Sequence, residues 1–119
     1  MFFWDGFLDV ARKLSEPGSE AQYRSAISRA YYFAFHLATP AAKRLGFDDR
    51  RGIPEPHKRI WRVFRSATAP GVSDVADLGK ELRSMRMQAD YEADKQFSQD
   101  QARRAVSAAE ELSKCLRGI

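Results

Sequence analysis

Between Tyr23 and Ala41 the apolar residues recur at helical spacing: Tyr23, Ala26, Ile27, Ala30, Ala34, Leu37, Ala38 and Ala41 fall on one face. Most of them are alanine, and a stripe of small side chains lets a neighbouring helix approach closely. Ser19 with Gln22 forms a capping box that opens this helix, and the pattern carries it to about Leu45, where Gly46 ends it. Pro40 lacks a backbone donor, so the sequence predicts a bend or break near Thr39. A segment of this kind commits the chain to helix-on-helix packing.

The remaining segments are read the same way. Phe7, Leu8, Ala11 and Leu14 form the inner stripe of a first helix from about Trp4 to Leu14, stopped by Pro17-Gly18. Residues 46–54 are a charged loop. Pro54 and Pro56 mark the start of a third helix carrying Ile60, Trp61 and Phe64, closed by Ala69-Pro70-Gly71. Ser73 or Asp74 is expected to cap a fourth helix with the inner stripe Val75, Leu78, Leu82, Met85 and Ala89. Ser98 with Gln101 is a second capping box, opening a fifth helix through Ala102, Ala105, Val106, Ala109, Leu112 and Leu116. No segment reads as a strand. The expected fold is all-α, an up-and-down antiparallel bundle of about five helices forming a single domain over 1–119.

Composition narrows the function. No apolar run approaches the length of a membrane span, and Asp5 and Asp9 interrupt the apolar N-terminal residues, so neither a membrane segment nor a signal peptide is expected. Cys115 is the single cysteine, which points to a reducing, cytoplasmic setting and to packing among Leu112 and Leu116 rather than chemistry. The net charge of +4 is uneven: Lys43 to Arg65 holds eight basic residues against three acidic ones, a local +5. With Trp61 and Phe64 interleaved, that segment suits RNA, a nucleotide or an acidic partner as well as it suits a plain solvated surface. His57, Lys58, Arg59 and Arg62 are its candidate binding residues.

Two further groups carry candidate chemistry. Arg29 and His36 are seven residues apart on the second helix, on one flank and roughly 10 Å apart along the axis. Tyr32 and Phe35 fall on its far side with Arg24, Ser25 and Ser28; two large aromatics on a polar face call for cover, from a second copy of the chain or from the first helix. On the fourth helix Arg86 and Asp90 flank the apolar stripe four residues apart, suited to a partly buried ion pair or to a place in a groove shared with Arg29 and His36. The two histidines are far apart in sequence, with no cysteine pair or paired-carboxylate spacing beside them and no glycine-rich loop after a strand, so no metal or cofactor is expected.

The run Ala26-Ile27-Ser28-Arg29-Ala30-Tyr31-Tyr32-Phe33-Ala34-Phe35-His36, then Pro56-His57-Lys58-Arg59-Ile60, then Leu82-Arg83-Ser84-Met85-Arg86-Met87-Gln88-Ala89-Asp90-Tyr91 together resemble the bacterial and archaeal HEPN domains. The resemblance covers about residues 15 to 115. It implies a helical bundle, usually dimeric, often encoded beside a minimal nucleotidyltransferase and frequently part of toxin-antitoxin or defence systems. Many members are metal-independent ribonucleases that place an arginine and a histidine with four to six residues between them near the start of a late helix. Here that position reads Arg83 to Tyr91 without a histidine, and Asp90-Tyr91 stands where active members often carry histidine and tyrosine. Arg29 to His36 meets the spacing on the wrong helix.

Three functions follow as expectations. The leading one is a noncatalytic RNA- or nucleotide-binding module of a two-component system, acting as a homodimer with a cognate nucleotidyltransferase or antitoxin, with Tyr32, His57, Lys58, Arg59, Arg62 and Tyr91 as its binding residues. The second is a metal-independent endoribonuclease with Arg29, His36, Arg86 and Asp90 as its catalytic set, His36 or His57 moving the proton and the arginines stabilising phosphorane charge. The third is a protein–protein scaffold.

Overall fold

In the computed structural model, which describes residues 1–66 and 71–118, the chain forms five helices: α1 (Asp5–Leu14), α2 (Glu20–Arg44), α3 (Pro56–Ser66), α4 (Val72–Tyr91) and α5 (Gln99–Arg117). The protein is an all-helical bundle. Both capping boxes form in full, with Ser19 and Ser98 accepting from the backbone N–H of Gln22 and Gln101 while those glutamines accept from the cap residues' own N–H groups. The predicted closure of α3 at Ala69-Pro70 lies outside the described residues.

α2 is the centre of the bundle and packs against all four other helices. That position explains why its burial exceeds one stripe: Tyr31 and Phe33 are buried along with Ala26, Ile27, Ala30, Ala34, Ala38, Ala41 and Ala42. It also explains why a break, one of the two outcomes expected at Pro40, does not occur. α2 runs unbroken through Pro40, because Ala38, Ala41 and Ala42 on either side of it are buried against neighbours and hold the helix across the missing donor, while the proline itself points to solvent. The Thr39 hydroxyl donates to the Phe35 carbonyl one turn back. Gly46, at φ 104°, then ends the helix, and the Phe47 N–H returns to the Ala42 carbonyl.

The departure from expectation is at the start of α4. Its cap is Gly71 in the left-handed region, with no side-chain bond from Ser73 or Asp74; α4 begins two or three residues earlier than expected because Val72 is fully buried and belongs to the helix. At the other end of α4, Arg24 donates to the carbonyls of Ala89, Glu92 and Lys95. A residue expected on the open face of α2 therefore closes the C-terminus of α4, where a cation is favoured by the helix dipole. α3 lies along α4. Gly79 is what permits it: a Cβ there would overlap the six-membered ring of Trp61. Trp61 thus rests directly on the α4 backbone, and this seam carries the site described next.

Candidate functional site

The residues singled out in the sequence divide into an aromatic and cationic cluster around Tyr32, a cationic groove between α3 and α4, and isolated positions. Tyr32 and Phe35 are half-buried against the core, so their cover comes from within the chain. α3 supplies most of it: the His57 ring centre lies 4.3 Å from that of Phe35 and 5.8 Å from that of Tyr32. Around Tyr32 stand Arg29, with its guanidinium carbon 5.4 Å from the ring centre, and Arg86, at 5.5 Å. His36 is a neighbour at 6.4 Å. Arg29, His36, Arg86 and His57 are therefore brought together from three helices, with Tyr32 as their common contact.

Each of these groups is already engaged. His36 stacks on Trp4 at 3.5 Å with the rings 7° from parallel, and burial lowers its pKa below the ordinary value. Arg29 also lies over the Phe7 ring, at 4.7 Å. Arg86, 7% exposed, pairs with Asp90 at 3.8 Å, and the Ser28 hydroxyl donates to the same carboxylate oxygen at 3.3 Å. Trp61 Nε1–H points at the Tyr31 hydroxyl oxygen, 3.4 Å away, and Tyr31 lies 2.8 Å from His57 Nδ1. Burial pushes the Tyr31 phenol up to about 12, so Tyr31 keeps its proton and donates it to a neutral His57. Protonating His57 at Nδ1 would reverse that bond, with the ring donating and the Tyr31 oxygen accepting. Burial, then the positive charge of Arg86 and Arg83 and of His36, lowers the His57 pKa to about 4.

The second region is a groove of about 310 Å³ between α3 and α4. Its walls are Lys58, Arg62 and Arg65 from α3 and Lys80 and Arg83 from α4, and its floor is Trp61 with Ala76. No carboxylate is among its lining residues. Arg65 pairs with Asp77 outside the groove; Lys58, Arg62, Lys80 and Arg83 have no ion pair among the described residues. The Nε of Arg83 and of Arg86 are both buried without a hydrogen-bond partner.

Of the expected binding residues, Lys58 and Arg62 line this groove, whereas Arg59 turns away from it. The Arg59 guanidinium donates to the carbonyls of Pro54 at 2.8 Å and Asp48 at 3.0 Å and lies over the Phe47 ring, which fixes the loop between α2 and α3. Tyr91, 75% exposed, stands alone at the end of α4. Lys80 escaped the sequence reading and Arg83 entered it only as the start of the late-helix motif position, although they lie four and seven residues after Ala76 and so share a face of α4. Cys115 packs against the core, and burial raises its thiol, as suits an inert residue. No group of three or more His, Cys, Asp or Glu side chains able to hold a metal ion occurs among the described residues, and no described helix is long and apolar enough to cross a membrane.

No curated protein and no solved structure matches the chain. The sequence model of the HEPN domain matches residues 5–119, and this agrees with the five-helix bundle and with the residues that carried the resemblance. The chain belongs to the HEPN domain family.

Proposed function

We propose that this HEPN protein is a noncatalytic RNA- or nucleotide-binding module, one domain over 1–119, working as a homodimer in a two-component system with a nucleotidyltransferase or antitoxin. The observation that carries the reading is the α3–α4 groove, where cations face one another across a concavity without a lining carboxylate. Such a surface is stabilised by phosphate and weakened by salt, since binding releases condensed counterions. Membership of a family of helical domains that often dimerise supports the assembly, and the exposed Phe2 and Phe3 offer it apolar area.

Anisotropy of a labelled single-stranded RNA tests the reading. Affinity falls with rising salt, and R62E or K58E lowers it about tenfold or more by replacing an attraction with a repulsion. Affinity indifferent to both salt and these reversals removes the reading.

The gathering of Arg29, His36, Arg86 and His57 around Tyr32 favours a second reading, metal-independent RNA cleavage. It ranks below the first because both histidines are shifted toward the neutral form. Two neutral imidazoles supply a base and no acid at neutral pH.

A further inference from the structure

We infer that Trp4 is a cover closed over a base-stacking site: its indole occupies the place on the His36 ring that a nucleobase of single-stranded RNA takes when the cover swings away. This rests on the RNA-binding reading above and adds a regulated seat for the base. The α3–α4 groove offers none, since Trp61, the one aromatic among its lining residues, is 4% exposed.

The first argument is geometry. The Trp4 and His36 ring centres are 3.5 Å apart and the planes are 7° from parallel, a full face-to-face contact. The other aromatic contacts of Trp4 are edge-on: Phe2 and Phe7 each meet it at 5.1 Å, with the planes at 78° and 73°. Aromatic side chains prefer edge-on or offset arrangements to a face-to-face sandwich. The one parallel contact of Trp4 therefore has the form in which bases stack on side-chain rings. A base and an indole offer the imidazole the same flat π face.

The cover is lightly tied. Trp4 is 37% exposed and stands just before α1, where it makes no side-chain cap bond. The Phe3 and Trp4 carbonyls accept from the N–H groups of Gly6 and Phe7 at 3.1 and 2.8 Å, bonds that hold the backbone of the first turn and not the indole. α1 is anchored further along, by buried Leu8 and Ala11, by Phe7 against the core and by Arg12 paired with Glu110 of α5. The indole is thus free to leave while α1 stays in place.

Arg29 is the second, independent observation. It lies on the same flank of α2 as His36, its guanidinium carbon 4.7 Å from the Phe7 ring centre and 5.4 Å from that of Tyr32. It has no ion pair among the described residues. A guanidinium laid against ring faces is held in place while its N–H fork remains available for a phosphate. Tyr32, 6.4 Å from His36, joins the two. A stacking ring with a cation beside it is the equipment of single-strand recognition, and only an aromatic ligand has reason to displace an indole.

Fluorine NMR of the intact protein labelled with fluorotryptophan, titrated with an oligoadenylate and separately with inorganic phosphate, tests the inference. The chain has two tryptophans, so W4F identifies the Trp4 resonance. Oligoadenylate moves that resonance toward its position in the denatured protein, and phosphate does not. In anisotropy, W4A binds oligoadenylate about threefold to tenfold tighter than the wild type, the range to which a lost aromatic pair converts. H36A placed in the W4A background cancels the gain. A melting curve checks the fold of W4A; if that variant does not fold, the wild-type resonance decides alone. A Trp4 resonance unmoved at saturating RNA, one moved equally by phosphate, or folded W4A binding no tighter than the wild type overturns this inference and leaves the RNA-binding reading standing. The absence of RNA binding by both proteins overturns both.

Discussion

The Tyr31 hydroxyl lies 2.8 Å from His57 Nδ1, a bond across the α2–α3 contact between two groups whose protonation is set first by burial. Tyr31, held up to about 12, is the donor, and His57, lowered to about 4, is the neutral acceptor. Trp61 Nε1–H approaches the same oxygen, so the hydroxyl both accepts and donates.

Stability should therefore fall with acid in a defined window. His57 binds its proton near pH 6.5 in the unfolded chain and near 4 in the fold. Between those values the unfolded state holds more protons, so stability is complete above about 6.5 and is lost as the pH drops toward 4. His36, also lowered, adds in the same direction. Asp48, held to about 2 by Arg50, titrates below this window. Because the His57 ring is half open to solvent, screening reduces the loss to about 1–2 kcal/mol. Urea midpoints between pH 4 and 7 measure it, and H57Q flattens most of the slope.

G79A should destabilise the protein although it sits within a helix. Alanine favours a helix interior by about 1 kcal/mol over glycine. Here the added methyl overlaps the ring of Trp61, whose 4% exposure leaves it little room to shift. Overpacking of that kind costs about 1–3 kcal/mol and outweighs the propensity gain. A thermal melt shows a lower Tm for G79A; an unchanged or higher Tm means that the α3–α4 seam yields freely.

The helices were legible because their signals are local. Ser19 with Gln22 and Ser98 with Gln101 declare two helix starts within four residues each, and the structure has both boxes. Pro40 does not break α2 because buried alanines on both sides hold the helix across it, and Gly71 was missed as a cap because the burial of Val72 decides where α4 begins. The site was harder to read because its residues meet across helices. Arg59 and Arg62 look alike in a basic run, yet one holds loop carbonyls and the other lines a groove. Lys58, Arg62 and Arg65 repeat at helical spacing, as do Lys80 and Arg83; only the α3–α4 contact turns two stripes into one concavity.

Removing the Asp90 charge should expose the cost of burying Arg86. D90N leaves a guanidinium that is 7% exposed without its ionic partner, and its Nε is unpartnered already. Breaking a buried pair from one side costs about 3–5 kcal/mol; Asp90 sits at the edge of the site with its side chain 30% exposed, so about 1–3 kcal/mol is expected. R86M/D90N should lose less than the sum of the single changes, because the second substitution removes the charge that the first left uncompensated. Strict additivity in denaturant melts would mean that the pair is only a contact.

Catalysis is the decisive contrast between the two functional readings. Cleavage through the RNA 2′-hydroxyl needs one group to accept a proton and another to supply one. The His36 and His57 imidazoles are both neutral at pH 7.5, and the Asp90 carboxylate is engaged with Arg86 and Ser28. Single-stranded RNA incubated with the protein and a chelator at pH 7.5 should therefore stay intact. If a latent activity exists, it should emerge only below about pH 6.5, as a histidine whose pKa is lowered by burial gains a proton. H36A and H57A would then each lower it by about a hundredfold, the scale of losing a general acid or base. Chelator-resistant cleavage at pH 7.5 that collapses in H36A would instead establish the ribonuclease and reverse the ranking. Cleavage at pH 7.5 that survives both H36A and H57A would place the chemistry outside the Tyr32 cluster altogether.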